Sequence, residues 1–411
     1  MAGRLARSLE RLGTETAFET LARARALEAR GRRIIHLEIG EPDFPTAPHI
    51  VEAAAKALRD GHTHYCQAPG LPALREACAA HLSHHRGLTI DPARVLITPG
   101  AKPFLFFGVL AICVPGDEVI YPNPGFPIYE SVIRWAGATP VPLPLVEARG
   151  FAFSADELAS RLTPRTRLVI LNSPANPTGG IIDRSLNAEI AGVLARHDCW
   201  ILSDEVYAEM LYDSEHDTIA AHEGLLERTI LVDGFSKTFA MTGWRLGYAA
   251  LPAELVEPVT RLVINSVSCT APAIQLAGVA ALHGPRTEVE AMLSELRRRR
   301  DVIVPGLNAL PGVSCVTPRG AFYAFPNITG TGLESRDLAE RLLVDAGVAV
   351  LSGTAFGDYG EGYLRLSYAT SLEQIEEALV AMGRTLGSLQ PPPEGAGDAA
   401  NRSKALRPSD Q

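Results

Sequence analysis

The chain has 411 residues, 46% of them hydrophobic, 21% charged and 6% aromatic, with 38 Lys and Arg against 47 Asp and Glu for a formal charge of −9. That length suits two or three folded units around a large core, and so acidic a balance offers no bulk attraction to nucleic acid or anionic lipid. No apolar run reaches the roughly 20 residues of a membrane span, and the N-terminus (MAGRLARSLERLGTE) has neither an apolar h-region nor a cleavage site. A cytoplasmic globular protein with no membrane and no nucleic-acid partner is expected.

In chain order, a helix near 15–30 and a strand near 33–39 come first. Short β-rich runs then alternate with helical patterns: RVLIT (94–98), EVIY (118–121), TPVPL (139–143), RLVILN (167–172), CWILSD (199–204), TILVD (229–233) and LGYAA (246–250). Most are almost wholly apolar, which suits strands covered on both faces. The intervening helices include AKPFLFFGVLAICV, FPIYESVIRWAG, SLNAEIAGVLARHD and the segment after Lys237. The pattern predicts an α/β fold: a large domain with a mostly parallel seven-stranded sheet, the proline-bearing third run at an edge and the seventh antiparallel after a short link.

Residues 253–308 read as long helices ending in Arg297-Arg298-Arg299-Arg300, a solvated face paired with Glu288, Glu290 and Glu295. VSCV (313–316), AFYAFP (321–326), a helix over 335–346, VAVL (348–351) and GYLRLSYA (362–369) then make a smaller α+β unit. The expected division is an N-terminal segment 1–45 joining the small domain, a large domain 46–290, a small domain 291–388 and a disordered tail 389–411. Six scattered cysteines, none in a CxxC pair, argue against a disulfide framework. His81 and His85 lie four apart in HLSHH without an evident third ligand, so a solvated helix face is expected and no metal.

Ligands of open α/β sheets bind outside the carboxyl ends of the strands. There the chain places Thr98-Pro99-Gly100-Ala101-Lys102, Pro122-Asn123-Pro124-Gly125-Phe126, NSPANPTG (172–179), Ser203-Asp204-Glu205-Val206-Tyr207, Gly234-Phe235-Ser236-Lys237 and Thr242-Gly243-Trp244-Arg245. Gly100 before a helix start is an anion site. Ser236 and Arg245 add donors for a dianionic phosphate. Asp204, ending a buried strand, must find a cation or become neutral, and a protonated pyridine nitrogen is one such cation. Lys237 beside a phosphate site can hold an aldehyde as a Schiff base. Phosphate, pyridinium and aldehyde together describe pyridoxal 5′-phosphate. Taken singly, Lys237 is an ordinary solvated lysine, Asp204 a helix cap and Asn176 turn chemistry; their convergence on one rim in a complementary set is what argues otherwise.

The motifs EIGEPDF (38–44), Tyr65 in HTHYCQAPGLPALREA, PGDEVIYPNPGFPIY (115–129), NSPANPTG, SDEVY, SKTFAMTGWRLGY (236–248) and YLRLSYA (363–369) occur in the order found in class I/II aminotransferases. The chain resembles that family, fold-type I pyridoxal-phosphate enzymes related to aspartate aminotransferase, over roughly residues 15–388. The resemblance implies a transaminase moving an amino group from an L-amino acid to a 2-oxo acid through a Lys237 Schiff base, with Lys237 also moving the proton at the substrate Cα. It implies that Asp204 faces the pyridine nitrogen, Asn176 and Tyr207 the 3′-oxygen, and Phe126 the ring face. Ser236, Arg245 and the amides of Gly100, Ala101 and Lys102 would hold the phosphate. Arg365 would clamp the substrate α-carboxylate, with Gly40 closing over it. Tyr65 would reach the neighbouring subunit's phosphate, implying a homodimer with shared active sites.

A β-lyase or synthase on the same scaffold is the alternative. A pyridoxal-phosphate-binding regulator is not expected, since fewer than 15 residues precede the match, too few for a helix-turn-helix. Substrate choice stays open: Lys102 pointing into the pocket would favour aspartate or glutamate. Otherwise Phe18, Phe126 and the small residues near Ser268 favour an aromatic or aliphatic amino acid.

Overall fold

The computed structural model describes residues 6–389. Its strands are β1 (Ile35–His36), β2 (Val95–Thr98), β3 (Glu118–Asn123), β4 (Thr139–Pro144), β5 (Thr166–Asn172), β6 (Trp200–Asp204), β7 (Thr229–Gly234), β8 (Gly247–Ala250), β9 (Tyr323–Ala324), β10 (Val348–Ala349), β11 (Leu351–Ser352) and β12 (Leu364–Ser367). The helices are α1 (Thr16–Glu28), α2 (Pro48–Arg59), α3 (Pro72–Arg86), α4 (Lys102–Ile112), α5 (Ile128–Ala136), α6 (Ala155–Arg161), α7 (Arg184–Leu194), α8 (Ala253–Ser266), α9 (Pro272–His283), α10 (Thr287–Asn308), α11 (Ser335–Arg341) and α12 (Leu372–Leu389).

Strands β2 to β8 form one sheet in the order β2-β8-β7-β6-β5-β3-β4. The pairings among β3 to β7 are parallel, and β8 runs antiparallel to both β7 and β2. The reversal follows from the link: residues 235–246 contain no crossover helix, so the chain can only turn back. β4, with prolines at every second position, sits at the edge, where a missing amide costs no ladder bond on the outer side.

Alternate strand residues feed opposite layers. Leu168 and Ile170 pack with Phe104, Val109 and Val132, whereas Val169 and Leu171 pack with Leu158, Ile190 and Leu194. Both faces are dry, which is why the runs are apolar throughout instead of alternating. A second body is built from β11-β12-β9 and from β1 paired parallel with β10, so residues near both ends of the chain share it.

Several local expectations fail. The segment after Lys237 is a set of turns, because Ala240 and Arg245 adopt left-handed backbone (φ 50° and 56°) that no helix accepts. VSCV contributes one isolated bridge, Ser314 to Asn327, and AFYAFP only the two-residue β9. VAVL divides into β10 and β11, and the 335–346 helix becomes α11 followed by a π-turn over Leu342–Ala346. Only half of the arginine run is a solvated face: Arg297 and Arg298 are exposed as expected. Arg299 and Arg300 are buried, stacked on Phe44 and Tyr212 and paired with Asp43 and Asp213; only Glu295 of the three expected partners is used. A flat guanidinium can be buried this way because its stem and faces are apolar. The tail expected over 389–411 lies, beyond Leu389, outside the described residues.

Among the described residues no helix is long and apolar enough to cross a membrane.

Candidate active site

The carboxyl ends of β3, β5, β6 and β7, the start of α4 and the second body enclose a cavity of about 860 Å³. Gly40, Ala101, Lys102, Phe126, Asn176, Asp204, Tyr207, Ser236, Lys237, Arg245 and Arg365 all line it. Two expected residues do not. Gly100 sits behind Arg245, and Tyr65 stands away from the cavity with 90% of its surface exposed.

Asp204 is the last residue of β6 and only 4% exposed. One carboxylate oxygen accepts from Tyr129 Oη at 2.6 Å, and the other has only a long 3.4 Å contact from the Val206 amide. Burial pushes its carboxyl up to about 6 despite the Tyr129 bond, the mark of a buried anion short of a cation. Tyr207 Oη lies 2.6 Å from Tyr323 Oη, and Asn176 is held through its backbone amide by Asn172 Oδ1 at 3.0 Å. The Asn176 side-chain oxygen is buried without a partner.

Lys237 donates to the Gly40 carbonyl at 2.7 Å, and its amine lies 5.7 Å from the centres of both the Tyr207 and Phe322 rings. Burial in that apolar collar, with Arg365 and Arg245 near, pulls the amine down to about 8 although Glu41 opposes it. Arg365, on β12 and 3% exposed, donates to the Glu38 carbonyl, lies 4.8 Å from the Tyr323 ring centre, and keeps a buried Nε without a partner. Gly40 must be glycine here, since a Cβ would meet Tyr323 Oη at 2.2 Å.

At the other end, Gly100 has φ +83°, and a Cβ there would meet the Arg245 guanidinium at 2.3 Å. The turn therefore brings Arg245 against the N-terminus of α4, where unpaired amides face outward. A group bearing a phosphate, a ring cation and an aldehyde fits these residues. The amide cradle and Arg245 suit the first, underpaired Asp204 the second and the depressed Lys237 amine the third. The unpartnered Asn176 and Arg365 atoms are further polar groups left for a ligand to satisfy.

Sequence reasoning missed Tyr129, Tyr323, Asn172 and Glu15, which also line the cavity. Tyr129 lies three residues after Phe126, a spacing that puts both rings on one side of the helix start, in edge contact at 5.9 Å. Tyr323 comes from the other body, so its placement has no local signal. The structure also supplies a third group beside His81 and His85: Glu209, whose nearest side-chain atoms lie within 4.8 Å of theirs. Its oxygens are already bound by His81 at 2.9 Å and by Arg286, so His81 is drawn into a hydrogen-bonded cluster, while His85 keeps the exposed position expected of a solvated face.

The family model for aminotransferase class I and II matches residues 32–382. The chain is 43% identical over 357 residues to an aspartate aminotransferase of Pyrococcus abyssi, covering 86% of this chain and 92% of the relative. It is equally similar, at 43% over 357 residues with the same coverage, to aromatic-amino-acid aminotransferase 2 of Thermococcus litoralis. The crystal structure of the aspartate aminotransferase from Rhizobium meliloti superposes with a TM-score of 0.89 at 36% identity, over 93% of this chain and 99% of that one.

Proposed function

This chain belongs to the class I and II aminotransferases, pyridoxal-phosphate-dependent enzymes that move an amino group from an amino acid to a 2-oxo acid, and on that footing we propose how its own residues do so. When bound, the cofactor supplies an aldehyde carbon that condenses with an amine and a protonated ring that withdraws the electron pair left at the substrate Cα. Lys237 is the amine that carries it. Burial and the nearby Arg365 and Arg245, which pull this amine down to about 8, favour its free base, the form that would take the proton at the substrate Cα. Asp204 holds the ring nitrogen in its protonated form, a role supported by a buried carboxylate that lacks a cation. Tyr129 holds Asp204 in place.

Asn176 and Tyr207 face the 3′-oxygen, and Phe126 covers the ring. Ser236, Arg245 and the amides of Gly100, Ala101 and Lys102 hold the phosphate. Arg365 binds the substrate carboxylate through a two-pronged guanidinium, and Gly40 closes over it by its backbone. The N-terminal segment and residues 291–388 act as one smaller unit carrying Arg365, a division supported by the β1–β10 pairing. Tyr65 reaches the phosphate of a second subunit in a cytoplasmic homodimer with shared sites. Its 90% exposure, outside the lining of its own cavity, supports that reading. The β-lyase or synthase alternative is not favoured, since the relatives compared above are aminotransferases.

The observation that carries this assignment is the pairing of an underpaired Asp204 with a depressed Lys237 amine in one cavity. The purified protein should absorb in the near-visible and change on adding amino donors. Lys237→Ala should lose that band and reduce turnover by about 10³-fold or more. Retention of both would overturn the assignment.

A further inference from the structure

The cavity has one charge contact that none of these roles uses. Lys102, the first residue of α4, holds its ammonium 5.3 Å from the centre of the Phe126 ring, on the rim where a substrate side chain would lie. That ammonium is bound by the carboxylate of Glu15. Glu15 occupies the cap position of α1 yet makes no side-chain cap bond, so its carboxylate is turned away from the helix it precedes and toward the cavity. Its side chain is 19% exposed against 42% for Lys102. Glu15 also lies near enough for its charge to favour the protonated forms of Arg365 and Tyr323, which places it over the substrate end of the cavity.

Other cations on the lining are committed elsewhere. Arg365 and Arg245 are taken by the substrate carboxylate and the phosphate under the reading above. Arg25, at the mouth, is 72% exposed and faces Glu28. His36 is held by Glu28 and Glu38, so among the described lining residues Lys102 is the cation left to meet a second carboxylate, and it is already neutralised.

Resting on the functional reading above, we propose that Glu15 is a specificity-determining residue: by holding Lys102 it withholds that cation from substrate, so the pocket selects uncharged side chains and disfavours dicarboxylates. A substrate with a distal carboxylate must displace Glu15 and lie beside its charge. An aromatic or aliphatic side chain lies against Phe126 and leaves the pair intact. Because Glu15 precedes α1, the selectivity is set by the N-terminal segment and not by the sheet that carries the chemistry.

The test uses the holoenzyme and two amine-free ligands, succinate with two carboxylates and 3-phenylpropionate with one, with affinities measured by titration calorimetry. Glu15→Gln should tighten succinate about tenfold or more, roughly the loss of one close like-charge contact, while changing 3-phenylpropionate less than about threefold. Lys102→Met should cost the wild type little succinate affinity but erase the whole gain in the Glu15→Gln background, a non-additivity that a merely structural effect would not give. Glu15→Ala should reproduce the gain, with melting temperature recorded for each variant. The proposal is overturned if Glu15→Gln shifts both ligands alike or neither, or if the gain survives Lys102→Met. If 3-phenylpropionate fails to bind even the wild type, the assignment of Arg365 and the cavity fails first and takes this proposal with it.

Discussion

Asp204 and Glu205 are consecutive, equally buried and chemically alike, yet their carboxyls move in opposite directions. Glu205 accepts from Arg86 at 2.8 Å, Ser203 at 2.8 Å, His216 at 2.7 Å and Thr218 at 2.5 Å. Burial alone would push its carboxyl up, but His216, Arg86 and Thr218 outweigh burial and hold it at about 2. Arg86 also reaches Asp233 at 2.8 Å, completing a closed network between α3, β6 and β7. Asp204 points to the other side of the strand, into the cavity, and has one phenol for company. A strand's alternation therefore puts a satisfied charge and an unsatisfied one side by side. The first holds the sheet to α3, and the second is left underpaired, which on the reading proposed above makes it a socket for a cation.

The largest way to break that comparison is to open the closed network. Glu205→Gln removes the carboxylate that meets Arg86 and should lower stability at neutral pH by about 3–5 kcal/mol in chemical denaturation. Because the Glu205 carboxyl is depressed from 4.5 to about 2, its contribution is present above pH 4.5 and fades as pH falls toward 2. The deficit of the variant should shrink over that window. A variant as stable as wild type at pH 7 would mean the network is not what it looks like.

Asp204→Asn should do the opposite in cofactor-free protein. A carboxyl raised from 3.8 to about 6 binds its proton more tightly folded than unfolded, so the wild type loses stability as pH rises from about 4 through 6. The variant lacks that loss and should be more stable by up to about 3 kcal/mol above pH 7, while its turnover falls. A destabilised Asp204→Asn at pH 8 would count against the socket reading. Adding pyridoxal phosphate should narrow the gap, since only the wild type gains a partner for its charge.

The smallest effect is expected from Tyr129→Phe. Losing one hydrogen bond to a buried carboxylate should cost about 1.5 kcal/mol and raise the Asp204 carboxyl further, so that in cofactor-free protein the loss of stability with rising pH should extend to higher pH. No change in that pH window would show that Tyr129 does not support the Asp204 charge.

The apolar runs, their order and the short link before β8 were enough to draw the sheet, because strands dry on both faces leave an unambiguous composition. That Lys237, Asp204 and Asn176 share one rim was legible too, since strand ends of an open sheet converge there, whereas Arg365, on β12 of the second body, was reached only through its motif. Local rules also misled: the pattern after Lys237 reads as helix, yet Ala240 and Arg245 take left-handed backbone. The arginine run reads as surface, yet Phe44 and Tyr212 lie beneath it.

By itself, then, the sequence determined the layers, the rim and the chemistry those residue types permit. Only the tertiary structure decided which charges are satisfied. It set Tyr129 on Asp204, Tyr323 on Tyr207, Arg86 on Glu205 and Glu15 on Lys102, pairs lying 75, 116, 119 and 87 positions apart. Whether a buried charge is a brace or a socket depends on such partners. No local pattern carries that information, because the free energy of a charge is set by what surrounds it in space.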